Sequence, residues 1–143
     1  MKTTFSSDVA FLLPALPSGG VERVYLDLGK GLLDKGLDVE LILAKAEGSL
    51  LSQVPSSIRL IDLDVPRRFR LLRAYGPLGA ELRNRKPRVV VSTWGHLDVV
   101  PLIAAWQHRV PVLWVLHSTP SYLMGAPFPK QELVVWSARW ALR

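Results

Sequence analysis

The 143-residue sequence contains no cysteine. Disulfides, thiolate nucleophiles and cysteine-based metal sites are therefore excluded, and a reducing cytoplasm is compatible with the composition. Its three histidines show no metal-ligand spacing, so no metal is expected. Acidic residues are scarce, 12 against 18 Lys and Arg, giving a net charge of +6 and a pI of about 10.1. That imbalance favours an anionic partner, whether a phosphate-bearing substrate, a membrane surface or nucleic acid. No apolar run approaches the ~18 residues of a spanning helix, so any membrane contact would be peripheral. The start, MKTTFSSDVAFLLPALP, has one lysine and a short apolar run cut by Pro14. It lacks a small-residue cleavage site and does not read as a signal peptide. The spacings G-x-G-x-x-G, G-x-x-x-x-G-K-[ST] and G-x-S-x-G are all missing, which removes the defining marks of a dinucleotide site, a P-loop and a nucleophile elbow. Internal repeats, low-complexity tracts and linkers are missing as well.

What remains is a folded composition, 49% hydrophobic and 21% charged, with a mean hydropathy of +0.21. At this length it suits one domain, residues 1–143. Short continuous apolar runs at 8–14, 38–44, 57–63, 88–94 and 110–117 read as strands buried on both faces. Between them lie helix-period segments. Val21, Val24, Tyr25, Leu28, Leu32 and Leu33 recur at three- and four-residue spacing, with Gly36 as a stop. Residues 67–86 read as a basic helical segment interrupted at Gly76 and Pro77. A helix is expected over 96–107 despite Pro101. A last helix begins in 129–143, with Leu133, Trp136 and Trp140 on one side.

Buried strands alternating with helices predict an α/β fold, a Rossmann-like, doubly wound and mostly parallel sheet. Ligands of such sheets lie outside the carboxyl ends of the strands. Residues 14–23, 92–98 and 117–122 should therefore converge. Gly19 and Gly20 would let the backbone turn sharply and approach a ligand, with the following helix start favouring an anion. Arg23 adds a cation for phosphate or carboxylate. Two glycines also suit a plain strand-to-helix turn, with Glu22 stabilising the positive helix end. His96 and His117, each just past a strand, read as general bases or sugar-hydroxyl donors, or else as loop residues. Asp98 would orient His96 or stabilise a helix start, and Glu47 is a weaker candidate for a ribose hydroxyl.

The basic segment carries Arg67, Arg68, Arg70 and Arg73 near its start, then Arg83, Arg85, Lys86 and Arg88, around Phe69, Leu71, Leu72, Tyr75 and Leu82. It reads either as a cationic amphipathic face for an anionic membrane or acceptor, or as an ordinary surface helix. A nucleic-acid motif is missing, and no nucleic-acid partner is expected.

The stretch GGVERVYLDLGKGLLDKGLDVELILAKAEG, followed by RNRKPRVVVSTWGHLDVVPLIAAWQHRVPVLWVLHS, resembles the amino-terminal domain of the family 4 retaining glycosyltransferases of GT-B architecture. The resemblance covers essentially the whole chain and rests on motif order: the Gly-Gly-x-Glu-Arg turn, Lys-Pro before a β-branched strand, then Val-Pro, a strand and a histidine. It implies transfer of a sugar, with retention, from a nucleotide-sugar donor (a UDP- or GDP-sugar as substrate, with no cofactor and no metal). By the same resemblance, Gly19 and Gly20 approach the donor diphosphate with Arg23 nearby, and His117 is the catalytic candidate beside the transferred sugar. Glu22, His96 and Ser118 would contact acceptor or sugar. The acceptor, on this domain's side, is sugar or lipid-linked, which places the protein in the cytoplasm and at the inner face of the membrane.

GT-B enzymes have a second, donor-binding domain with a Glu-x7-Glu pair. Glu132 has no such partner after it, and the chain stops at Arg143 inside a helical pattern. The expectation is an amino-terminal piece of a longer protein, inactive alone because half a cleft cannot align donor and acceptor. A non-catalytic module binding phosphate or a partner protein is the alternative reading, and an NAD-dependent oxidoreductase fragment the weaker one.

Overall fold

A computed structural model describes residues 7–65, 70–92 and 99–115. Five parallel strands, β1 (Val9–Leu13), β2 (Val39–Leu43), β3 (Arg59–Asp62), β4 (Val89–Ser92) and β5 (Val112–Trp114), form one sheet in the order β3-β2-β1-β4-β5. Helix α1 (Gly20–Asp34) joins β1 to β2, α2 (Arg70–Arg85) joins β3 to β4, and α3 (Val99–Gln107) joins β4 to β5. A single 3-10 turn, Leu51–Gln53, lies between β2 and β3. The architecture is the doubly wound α/β sheet expected from the alternation of apolar runs and helical periods.

Register explains why the strands read as unbroken apolar runs. Phe11 lies level with Leu41 and Val91, and Leu12 with Ile42 and Ser92. Successive side chains alternate between two covered faces. On one face Ala10, Leu12, Ile42, Ile61 and Val90 pack with Ala74, Leu78 and Leu82 of α2 and Ala104 and Ala105 of α3. On the other, Phe11, Leu13, Leu41, Leu43 and Val91 pack with Tyr25 and Leu26 of α1. Tyr25 meets Phe11 edge to face at 5.2 Å between ring centres. The edge strands β3 and β5 are more exposed because each has one paired neighbour among the described residues.

Helix α1 ends in a Schellman turn. Leu37 N–H donates to Leu32 C=O and Gly36 N–H to Leu33 C=O, with Gly36 at φ +78°. The expected break in α2 is not present: the helix runs through Gly76 and Pro77. Both residues are exposed, whereas Ala74, Leu78 and Leu82, four apart, are fully buried against the sheet. Burial of that stripe outweighs the loss of one backbone hydrogen bond on the solvent side.

Charges tie the amino ends of the strands together. The Asp8 carboxylate accepts from Asp38 N–H at 3.1 Å and from Arg88 at 3.0 Å, joining the approaches to β1, β2 and β4. Glu40, 2% exposed within β2, accepts through Oε1 from Arg59 at 3.0 Å and Arg85 at 3.2 Å. Arg85 also donates to Glu81, and that hydrogen bond, with the Glu40 charge, raises its pKa further. The backbone N–H of Asp38 and the Arg88 guanidinium hold the Asp8 carboxyl below its ordinary pKa. A depressed pKa contributes stability above the unfolded value of about 4 that is lost as pH falls through the folded value. Urea unfolding from pH 7 downward should therefore show wild type losing stability in the acid range faster than Asp8→Asn.

Candidate functional site

The strand order places the topological switch point between β1 and β4. Helix α1 leaves β1 over one face, while α2 and α3 cover the other. A crevice outside the carboxyl ends of these two strands is where such sheets bind ligands. The segment leaving β1 there is residues 14–19, and backbone hydrogen bonds together with the buried Leu16 side chain hold it. Leu16 N–H donates to Glu47 C=O at 2.9 Å, and Leu50 N–H to Leu16 C=O at 3.1 Å. Lys45 N–H reaches Pro14 C=O at 3.2 Å. The Leu16 side chain is fully buried. Gly48, at φ +122°, makes this clasp possible: a Cβ there would stand 2.0 Å from Leu16 O. The sequence reading did not single out Gly48. Its signal was a glycine in the A-E-G-S stretch after β2, one among ten glycines.

At the start of α1, Gly19 is the N-cap in an extended conformation, φ −88° and ψ 159°, with no side-chain cap. Positive φ is confined to Gly36 and Gly48 among the described glycines. The pair at 19 and 20 is therefore not needed to turn the backbone, contrary to the expectation of a sharp glycine turn. It leaves space instead. A Cβ on Gly19 would lie 2.0 Å from Glu22 Oε2, and a Cβ on Gly20 would meet nothing within 4 Å. The Glu22 carboxylate thus folds back over Gly19, where it offsets the positive end of the helix. The first N–H groups of a helix have no intrahelical partners. Arg23 is exposed beside them.

Gly19, Gly20, Glu22 and Arg23 are consequently brought together at the switch point. Further along the same edge Lys45, after β2, pairs with Asp64, after β3, and that hydrogen bond raises the Lys45 pKa. His96, Asp98, His117, Ser118, Arg67 and Arg68 lie outside the described residues. The strands that precede the two histidines end at Ser92 and Trp114 on this edge. Arg70 opens α2, and Arg73 is exposed on it, over the face opposite α1. A separate groove of about 640 Å³, lined by Trp106, Gln107, Arg109, Val110 and Pro111, lies at the amino end of β5, away from the switch point.

Gly48→Ala combines an unfavourable φ with a clash against backbone, and should destabilise the fold by about 3 kcal/mol. Urea denaturation measures this; a change below about 0.5 kcal/mol would mean that the clasp yields freely.

A family model described as "Glycosyl transferase 4-like domain" matches residues 19–143, beginning at this turn. The structure is similar to the crystal structure of MurG from Acinetobacter baumannii, with a TM-score of 0.60 and 19% sequence identity. The match covers 92% of this chain and 38% of that one, so the chain spans well under half the length of that protein. No curated protein matches the sequence. With a Rossmann-like sheet of the GT-B amino-terminal type and a family match over most of its length, the chain belongs to the glycosyl transferase 4-like domain family.

Proposed function

We propose that this chain is the acceptor-side domain of a retaining glycosyltransferase that takes a nucleotide sugar as donor. A second Rossmann-like domain outside this sequence would complete the cleft and supply most donor contacts. The observation that carries the reading is the uncapped start of α1 at the β1–β4 switch point, in a family whose model match begins at Gly19. A diphosphate approaching Gly19 and Gly20 would meet backbone N–H groups and the helix dipole, with Arg23 supplying a full charge. Glu22 has to turn away for the anion to enter, because its carboxylate covers Gly19. His117 and His96 follow strands that end on the same edge, and they are the residues proposed to meet the transferred sugar and the acceptor, with Ser118 beside them.

A lipid-linked acceptor at the inner membrane face is the finer reading. It draws support from the basic run and from Arg73 and Arg83, both exposed on α2. None of the described helices is long and apolar enough to cross a membrane, so the contact would be made by surface charge.

In the full-length enzyme, Gly20→Val should lower kcat/KM for the donor by about tenfold or more without loss of fold, since a Cβ there points into open space. Glu22→Gln should tighten inorganic pyrophosphate or donor about two- to fivefold, the worth of one charge at a helix end. Calorimetric titration and steady-state kinetics read both; unchanged values for both variants would remove the turn from the site. For the membrane, sedimentation with vesicles containing anionic lipid should carry the protein down, and vesicles of neutral lipid should not. Equal recovery in the two pellets would end that reading.

A further inference from the structure

We propose that two copies of this chain pair through the outer face of α1, antiparallel and related by a two-fold axis near Leu28. Helix α1 buries Tyr25, Leu26 and Gly29 against the sheet. Its other side carries two neighbouring rows of exposed residues. One row is Val24, Leu28 and Gly31, with Val24 56% and Leu28 46% exposed. The other is charged: Arg23, Asp27, Lys30 and Asp34. Single exposed aliphatic residues are ordinary, but these two lie one turn apart beside an ordered row of charge.

The charged row is complementary to itself. It reads plus, minus, plus, minus from Arg23 to Asp34, and reversing it inverts every sign. Arg23 and Asp34 stand equally far from the midpoint between Leu28 and Gly29, as do Asp27 and Lys30. A two-fold axis through that midpoint sets Asp27 against the partner's Lys30 and Arg23 against the partner's Asp34. A parallel pairing in register would set like charges together. Within one copy Asp27 and Lys30 lie 3.7 Å apart with both side chains well exposed, so each can still reach a partner. The chain's positive excess lies elsewhere, since residues 7–65 carry nine acidic and five basic side chains.

The same axis brings apolar row onto apolar row. Leu28 meets its own counterpart, and Val24 comes over the partner's Gly31. That contact accounts for a glycine that the fold of one copy leaves unexplained. A glycine inside a helix is unfavourable relative to alanine. At Gly29 the fold supplies the reason, since a Cβ there would stand 2.9 Å from Ile58 Cδ1. At Gly31 a Cβ would meet nothing within 4 Å, and the missing side chain matters only where another surface comes close. Apolar contact supplies affinity, while the charges fix direction and register. Arg23, at the end of the row, can serve the partner's Asp34 or an anion at its own helix start. The pairing itself does not rest on the proposed activity.

Sedimentation equilibrium of the full chain between about 1 and 500 µM tests this, a range suited to a small interface. The chain should pass from monomer to dimer with a dissociation constant of about 10–100 µM. Leu28→Glu sets two carboxylates across the axis, and Gly31→Leu fills the space of the partner's Val24. Each should weaken the dimer about tenfold or more. In one copy Gly31→Leu points into open space and favours the helix, so lost pairing there is not lost folding. Asp27→Lys should weaken pairing about fivefold, and adding Lys30→Asp to the same chain should restore it within about twofold. A chain monomeric throughout the range would overturn the proposal. A dimer kept in both Leu28→Glu and Gly31→Leu would overturn it too, by placing the contact on another surface. Assembly that continues past the dimer, or a double exchange that restores nothing, would overturn the two-fold antiparallel pairing. Far-UV circular dichroism checks that each variant folds.

Discussion

Strand β1 is hydrogen-bonded along both edges, to β2 on one side and to β4 on the other, and its residues from Ala10 to Leu13 are almost wholly inaccessible. A backbone this deep tolerates no unpaired polar group, so its register with both neighbours is strict. A slip of one residue would send Phe11 and Leu13 to the face of α2 and α3 and strand Ala10 and Leu12 under α1. The segment that leaves β1 inherits this precision. Its exit is fixed by Ala44 N–H on Leu13 C=O, then by the Leu16–Glu47 and Leu50–Leu16 hydrogen bonds. The start of α1 is thereby placed at the switch point by these backbone hydrogen bonds and by the packing of Leu16, Tyr25 and Leu26.

Both ends of the sheet carry ion pairs, and at the carboxyl edge Lys45 pairs with Asp64. At the amino ends Asp8 pairs with Arg88, and Oε1 of buried Glu40 with Arg59 and Arg85, while Glu40 Oε2 has no hydrogen-bond partner among the described residues. These pairs join segments distant in the chain, and they sit at the wrong edge for a ligand of a parallel sheet. The Glu22 carboxylate lies over Gly19 at the positive end of α1. The ion pairs at the amino ends join separate segments, whereas the Glu22 carboxylate lies over the start of its own helix.

The fold was largely legible in the residues. Continuous runs such as DVAFLLP and DVELILA could be buried strands, and the spacing from Val21 to Leu33 could be one helix. The breaker reading of Gly76 and Pro77 failed because local rules weigh a proline without knowing which way it points; here it faces solvent while Leu78 packs inward. The turn of the candidate site was legible as a place in the fold rather than as a geometry. Gly19, Gly20, Glu22 and Arg23 stand where the pattern put them. The reason for the glycines differs, since neither has a positive φ and one makes room for a carboxylate.

The sequence by itself determined the class of fold, the helix from Gly20 and its Gly36 stop, because these follow from periods and residue types within a dozen positions of one another. Tertiary structure decided the strand order, the continuity of α2, the burial of Glu40 between two arginines, and the contact of Gly48 with Leu16. Each of these is a distance between residues far apart in the chain. Such distances come from how β1 packs between β2 and β4 and how the helices cover the sheet, and no local pattern records them.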